Sequence, residues 1–425
     1  MANNVESNYR EKVLPIFTGL FENNRVLSKN VNTQLLDGVF NAESGASVAF
    51  KRNADFVAVE TPDGDMTSED ASPIVIGNGF GRVQKYITVM VEYSQIDEAL
   101  KLNQLDKILA PAAKRLVTKL ELNFSKYMME NAALQAGTVG TAATTWDHVA
   151  QAGAVMESNG VSQDGMWNYA VNPYTQRSLA STQKSLGAGG RAGGLVAEAH
   201  RRAIIEENFA GMDVMTATTL GKYTTGSGGD RTGTLSSNPD VTYITAKDTL
   251  TQVLPLSGFQ ANLVIKAGEQ VRITGRNRLN LSTRELVIDE TGGSIVWTAT
   301  VNADVTLNGS GAGNVTVTGP AIFETGGAYN TVDSAPISGD IVSILGGAST
   351  TYQPNLFWHK EAFSIGSVAL PKLSALENTA TTDDGIRIKV TRGSSFLTLK
   401  NMVRFDILPA FATMNPFMAG HGWGG

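Results

Sequence analysis

Four acidic side chains crowd one short stretch, Asp63, Asp65, Glu69 and Asp70, and carboxylates at that density are the raw material of a calcium loop. The stretch lacks the glycine and terminal glutamate that an EF-hand needs at fixed positions, so it reads as a solvated loop tip. "GNGFGR", residues 77–82, follows apolar residues as a dinucleotide loop would, but its third glycine falls one position early and a strand is expected after it. "GAGGRAGG", residues 187–194, has the glycines to wrap a phosphate and lacks the Lys-Ser/Thr pair that completes a P-loop. His148, His200, His359 and His421 fall at no metal-ligand spacing, and no G-x-S-x-G elbow offers any of them a serine. Arg201 and Arg202 would suit a phosphate, yet Glu198, Glu206 and Glu207 flank them and favour a salt-bridged exposed face. With no cysteine, thiolate metal sites, disulfides and cysteine nucleophiles are also removed. The expectation is a chain that is not an enzyme and holds no cofactor or metal.

The elements around these residues look built to hold shape. "LAPAAKRLVTKLELNFSKYMM", residues 109–129, lies in a helix expected from about Ile96 to Ala133. Leu105, Ile108, Leu109, Ala112, Leu116, Leu120, Phe124 and Met128 recur every three or four residues and form one apolar stripe, with Pro111 as a start or a kink. Ahead of it, Val13, Ile16, Phe17, Leu20 and Phe21 have helical spacing in a short arm. "ASVAFKR" and "KYITVMVEY" alternate like strands, and the polar stretch between them predicts a long two-stranded extension with a flexible tip. From Thr145 to Gly221 the pattern is an α/β layer: "WDHVAQAGAVMESNG" reads as helix, "NYAVNPYT" as strand and turn, "LVAEAHRRAIIEENFAG" as helix. Between about Tyr223 and Thr350 short alternating runs such as "QVRITG" and "IVWTATV" indicate an inserted all-β domain, after which longer apolar strands return.

The whole chain has 425 residues, more than one core of ~250 to 300 residues accommodates. A net charge of −6 and a pI near 5.4 leave no overall basic surface for tight nucleic-acid binding. The amino terminus lacks the basic start and apolar core of a signal peptide, and no run reaches the ~20 apolar residues of a membrane span, so no membrane partner is expected.

Taken in order, the segments "VNTQLLDG", "SVAFKR", "GRVQKYITVMVEY", "EALKLNQLDKILAP", "IKAGEQVRITG", "PNLFWHKEAF", "LPKL" and "MVRFDILPAFATMNP" resemble the coat proteins of tailed bacteriophages with the Hong Kong 97 fold, in the branch of short-tailed phages of the P-twenty-two type. The resemblance implies an α+β capsid fold with an inserted β-barrel: an amino-terminal arm over 1–45, an extended loop over 46–93, a peripheral domain with its spine helix over 94–144, an axial domain over 145–222, the insertion over 223–350, and a return to the peripheral and axial domains over 351–425. It further implies self-assembly through hexamers and pentamers into an icosahedral virion shell around double-stranded DNA, in the cytoplasm of a bacterial host. A portal protein is implied at one vertex, a decoration protein is a further candidate partner, and DNA would be touched only weakly and non-specifically. With no long segment ahead of the arm, a separate scaffolding protein is expected. Lys51 and Lys85 have no assignable Asn and acid for a covalent cross-link, so maturation is expected to be non-covalent.

Residue by residue, Phe17 and Phe21 are candidate arm contacts, poorly covered in a single chain, and Phe56, Val59, Asp63 and Asp65 are candidate contacts of the extended loop. Asp248, Arg276, Arg278 and Arg284 of the insertion are candidate intercapsomer salt-bridge partners. Gly77, Gly79 and Gly81 would let the loop change its angle between environments. Two other readings stand beside the coat protein: an encapsulin-like compartment, which shares the fold, and a carbohydrate-binding adhesin, suggested by the Thr- and Asn-rich β domain.

Overall fold

A computed structural model describes residues 17–22, 24–33, 35, 45–61, 63–67, 74–94, 105–186, 208–372, 377–395 and 400–425. The "GAGGRAGG" loop, His200, Arg201, Arg202 and the three glutamates around them lie outside the described residues, as do the arm before Phe17 and the expected helix start at Ile96. The chain divides into two compact units, one of Met1–Val48, Phe80–Ser125 and Phe363–Ala412, the other of Ala49–Gly79, Lys126–Ala362 and Thr413–Gly425.

The long helix, Leu105–Asn131, belongs to the first unit as far as Ser125 and there presents its stripe as the pattern requires. Ala112, Ala113, Leu116, Val117, Leu120 and Phe124 are buried, while Lys114, Arg115, Thr118 and Lys119 stand in solvent. The helix runs through Pro111. Ile87–Ser94 joins a four-stranded antiparallel sheet beside Lys400–Ile407, with Val89 opposite Phe405 and Ile87 opposite Ile407. A second sheet takes the order Ser47–Lys51, Asn78–Val83, Pro409–Thr413, Phe363–Ser367.

These pairings correct the expected two-stranded extension. "ASVAFKR" and "KYITVMVEY" do not pair with each other, and the returning limb of the loop is the glycine-containing Asn78–Val83. Gly79 in this strand and Gly77 just before it stand where neighbours approach closely. A Cβ on Gly79 would lie 2.1 Å from the Phe50 ring, and one on Gly77 would lie 2.1 Å from the Lys247 carbonyl oxygen.

The second unit holds a mixed six-stranded sheet, ordered Leu134–Ala136, Ala419–Gly422, Asn355–His359, Trp167–Val171, Met212–Thr216, Asn208–Phe209. Helix Trp146–Ser158 packs Val149, Ala152 and Met156 against Trp167, Tyr169 and Phe357 of that sheet. "NPYT" turns out to begin a helix, Pro173–Leu186: Asn172 caps it, its side-chain oxygen accepting from the Thr175 amide at 2.8 Å, and Pro173 fits the first turn, where no amide hydrogen is needed. Asn208–Phe209, read as the end of a helix, is a short strand.

The insertion is a closed barrel of six strands in the order Thr251–Ser257, Gly313–Thr318, Val296–Val301, Gln270–Asn277, Ile341–Ile344, Thr232–Leu235. Alternate residues fill it: Leu254 and Leu256, Val271 and Ile273, Trp297 and Ala299, Val315 and Val317, Val342 and Ile344. Just outside it, Tyr223–Thr224 pairs with Thr351–Tyr352, so the chain enters and leaves the barrel through adjacent strands. The expected α+β fold with an all-β barrel is what the chain forms.

The last turn of the long helix, from Lys126, lies in the second unit and is closed by distant residues of that unit. His421 Nε2 donates to the Met129 carbonyl at 2.8 Å, and Thr300 Oγ1 donates to the Ala132 carbonyl at 2.5 Å. Both carbonyls fall in or just past the last turn, where no amide of the helix remains to serve them.

Candidate assembly surfaces

The extended loop leaves the barrel as two limbs, and one side chain holds both. Tyr329 accepts from the Asp55 amide at 2.9 Å and donates to the Val75 carbonyl at 2.8 Å, while its ring stacks on Tyr243 at 3.6 Å. Val75 packs beside Tyr243, Ala246, Leu250 and Ile322. Around this latch, Asp55 pairs with Arg284, whose other nitrogen donates to the Asn330 carbonyl at 2.7 Å. Asp248 accepts from the Asn78 amide at 2.8 Å and pairs with Lys247 at the same distance. The Lys247 and Asn78 bonds hold the Asp248 carboxyl below its ordinary value. Arg52 donates to the carbonyl of Met414. The base of the loop is thereby fixed to the barrel by bonds to both limbs.

Beyond the base the loop exposes apolar side chains. Phe56 is 55% exposed and Ile74 72%, and Val57, Val59, Met66 and Ile76 are also open to solvent. At the tip Asp63 accepts from the Asp65 amide at 3.1 Å, and Asp65 accepts from the Thr67 amide and hydroxyl at 2.9 and 2.6 Å. The Thr67 bonds keep the Asp65 carboxyl below its ordinary value. These two acids build a local turn of the kind their side chains favour.

Phe17 and Phe21 do not show the poor coverage expected of them. Both are fully buried, and Phe17 stacks on Phe405 at 4.0 Å with the ring planes 2° apart. For Phe17 the cover includes Phe405 from a C-terminal strand of its own chain, a pairing that local spacing does not reveal. The four charged residues of the insertion also find partners at home: Asp248 and Arg284 grip the loop, Arg276 forms a fork with Asp340 at 2.7 and 2.8 Å, and Arg278 donates to Thr298 Oγ1 at 2.7 Å. Burial, reinforced by the like charge of Arg272, lowers Arg278 to about 10, which leaves it cationic at neutral pH.

The three histidines among the described residues serve structure. His148 Nδ1 accepts from the Thr144 and Thr145 amides at 3.0 and 3.3 Å, His359 meets Asp164 at 3.1 Å, and His421 closes the long helix. Among the described residues no three metal-ligating side chains gather.

Two organising residues escaped the sequence reading. Glu121 is buried in the helix and accepts from the Leu27 amide at 2.8 Å, the Ser28 amide at 3.1 Å and the Ser28 hydroxyl. Its signal was a lone acid at a stripe position, four residues after Val117. Tyr329 carried no local signal, because both its partners lie more than two hundred residues away in the chain.

Phe in place of Tyr329 keeps the stack and loses both hydroxyl bonds, so the Asp55 amide should exchange about tenfold faster, as the loss of roughly 1.4 kcal/mol of local protection requires. Hydrogen exchange read at that amide checks it; an unchanged rate would mean the hydroxyl does not hold the limb.

Comparison with known proteins brings these surfaces into one frame. The family model described as "P22 coat protein - gene protein 5" matches residues 1–425. A major capsid protein of Acyrthosiphon pisum secondary endosymbiont phage 1 is 37% identical over 428 residues, covering 100% of both chains. Among solved structures, one of Mycobacterium phage Che8 shares 11% identity over 93% of this chain and 90% of its own, with a TM-score of 0.47. A virus-like particle from Pyrococcus furiosus shares 7% over 97% of each chain, with a TM-score of 0.40. Both scores are below one half, so family membership rests on the sequence matches, which run the full length of the chain: it belongs to the P22 coat protein family.

Proposed function

We propose that this phage coat protein closes an icosahedral shell through hexamers and pentamers of itself, with the extended loop laid over a neighbouring copy. The observation that carries the reading is a loop whose base is latched by Tyr329 and Arg284 while Phe56, Val59 and Ile74 beyond it stand uncovered. A fixed base aims the loop, and burial of exposed apolar area against a second copy would supply about 25 cal/mol per Å². Asp63 and Asp65 at the tip supply the polar end of that contact. Asp248 and Arg284 act in assembly by holding the loop in place, and the outward surfaces near Arg276 and Arg278 meet the next capsomer.

A separate scaffolding protein directs assembly, a portal occupies one vertex, the packaged double-stranded DNA is touched only loosely, and maturation proceeds without a covalent cross-link, all in the bacterial cytoplasm before release of the virion. A decoration protein is a further candidate partner. The chain works as a building unit and carries no catalysis of its own. Among the described residues no helix is long and apolar enough to cross a membrane.

Negative-stain electron microscopy of the chain co-expressed with its neighbouring phage genes tests this reading. Uniform icosahedral particles are expected from the wild type. Phe56→Asp, which changes a side chain that is 55% exposed, should leave the folded chain intact and stop shell closure. Normal shells from that variant would remove the loop from the contact, and a wild-type chain that never assembles would remove the shell.

A further inference from the structure

Five arginines fall within residues 223–350: Arg231, Arg272, Arg276, Arg278 and Arg284. Three of them hold a carboxylate, Arg231 with Glu269, Arg276 with Asp340 and Arg284 with Asp55. Arg272 and Arg278 hold none among the described residues. They are also neighbours. Arg272 points out of the barrel, since Val271 and Ile273 on either side of it fill the core, and the strand register sets it directly between Thr298 and Ser343. Arg278 lies just past the end of the same strand and reaches back to Thr298 Oγ1.

The pair is poorly served where it sits. Arg278 is 5% exposed, the one partner of its guanidinium among the described residues is a neutral hydroxyl, and the charge that bears on it most is the like charge of Arg272. The Arg272 Nε is buried with no acceptor. Native proteins pair buried charges because an uncompensated one is strongly unfavourable, and two of the same sign compound the penalty.

We propose that Arg272, Arg278 and Thr298 form an oxyanion site on the outer face of the barrel, whose ligand is a small inorganic ion of the phosphate class. Guanidinium groups match such an ion because their N–H donors lie in a planar fork. Thr298, whose oxygen already accepts from Arg278, has its hydroxyl hydrogen to donate, and Ser343 stands next to Arg272 on the other side. The near-complete burial of Arg278 fits a single compact ion and excludes the backbone of a DNA duplex.

The test uses the full-length chain titrated calorimetrically with sodium phosphate, and thermally melted in phosphate or chloride at matched ionic strength. One saturable phosphate site per chain is expected, with a melting midpoint that climbs in phosphate and stays level in chloride. Arg272→Gln, at the less buried partner, should weaken phosphate binding about tenfold or more. It should also melt no lower than the wild type in chloride, since a like charge has been removed, and fall below the wild type in saturating phosphate. That crossover is one a purely structural arginine would not produce. Absence of saturable binding, equal stabilisation by chloride, or unchanged affinity in Arg272→Gln would each overturn the site, and Arg278→Gln, if it folds, should bind no phosphate.

Discussion

Alanine at position 121 is expected to lower the stability of the first unit by about 3 kcal/mol or more, because Glu121 serves two buried amides and a hydroxyl at once. Its loss leaves the Leu27 and Ser28 amides without an acceptor in a place water does not reach. Buried donors without partners cost roughly 1 to 3 kcal/mol each. The damage should spread to Arg25, which donates from Nε to the Ser28 hydroxyl at 2.7 Å and from Nη2 to the Ser28 carbonyl at 2.8 Å, and pairs with Asp384 at 2.7 Å. Glu121→Gln keeps one acceptor oxygen and should lose less. Urea titration of the two variants beside the wild type decides the matter: an unfolding free energy for Glu121→Ala within about 0.5 kcal/mol of the wild type would show that the segment 25–28 is held by something else.

The second large effect is a loss of stability on acidification, and it should trace to one residue. His421 is fully buried, and burial lowers it from 6.5 to about 4, against the smaller opposing pull of the Met129 carbonyl. The folded chain therefore keeps this ring neutral while the unfolded chain protonates it below about 6.5. Because the folded value is the depressed one, the stabilisation is complete above 6.5 and is lost as the pH falls towards 4. Between pH 7 and pH 5 the loss amounts to about 2 kcal/mol, and most of it comes before ordinary carboxylates titrate. Denaturant unfolding at the two pH values, in the wild type and in His421→Gln, measures it. The variant should be less stable at pH 7 and nearly flat across the interval; a slope as steep as the wild type's would assign the proton to another group.

Periodicity disclosed the long helix and the barrel strands because each places its apolar residues by local rule, Leu116, Leu120 and Phe124 along one stripe and Val271 and Ile273 on one face. Partners were less legible. Ile87–Ser94 looked like half of a hairpin, yet it pairs with Lys400–Ile407, and no local pattern carries that choice. The same gap governs the candidate contacts: a sequence marks Arg276 or Arg284 as charged but not whose carboxylate will meet it, and here the carboxylates belong to the same chain. The poor coverage expected of Phe17 fails for the mirror reason, since Phe405 reaches it from the far end of the sequence. The helix at Pro173 was announced by its Asn-Pro start, a signal overridden by the apolar strand before it.

The pairing of Tyr223–Thr224 with Thr351–Tyr352 bears on how such a chain could have arisen. A guest domain whose two ends sit side by side can be spliced into a surface turn without moving the strands on either side, and its closure entropy depends on that short gap instead of on the length of the guest. The six-stranded sheet carries Met212–Thr216 before the barrel and Asn355–His359 after it, with Trp167–Val171 alone between them. Lineages could therefore exchange or enlarge the guest while the host sheet kept its register.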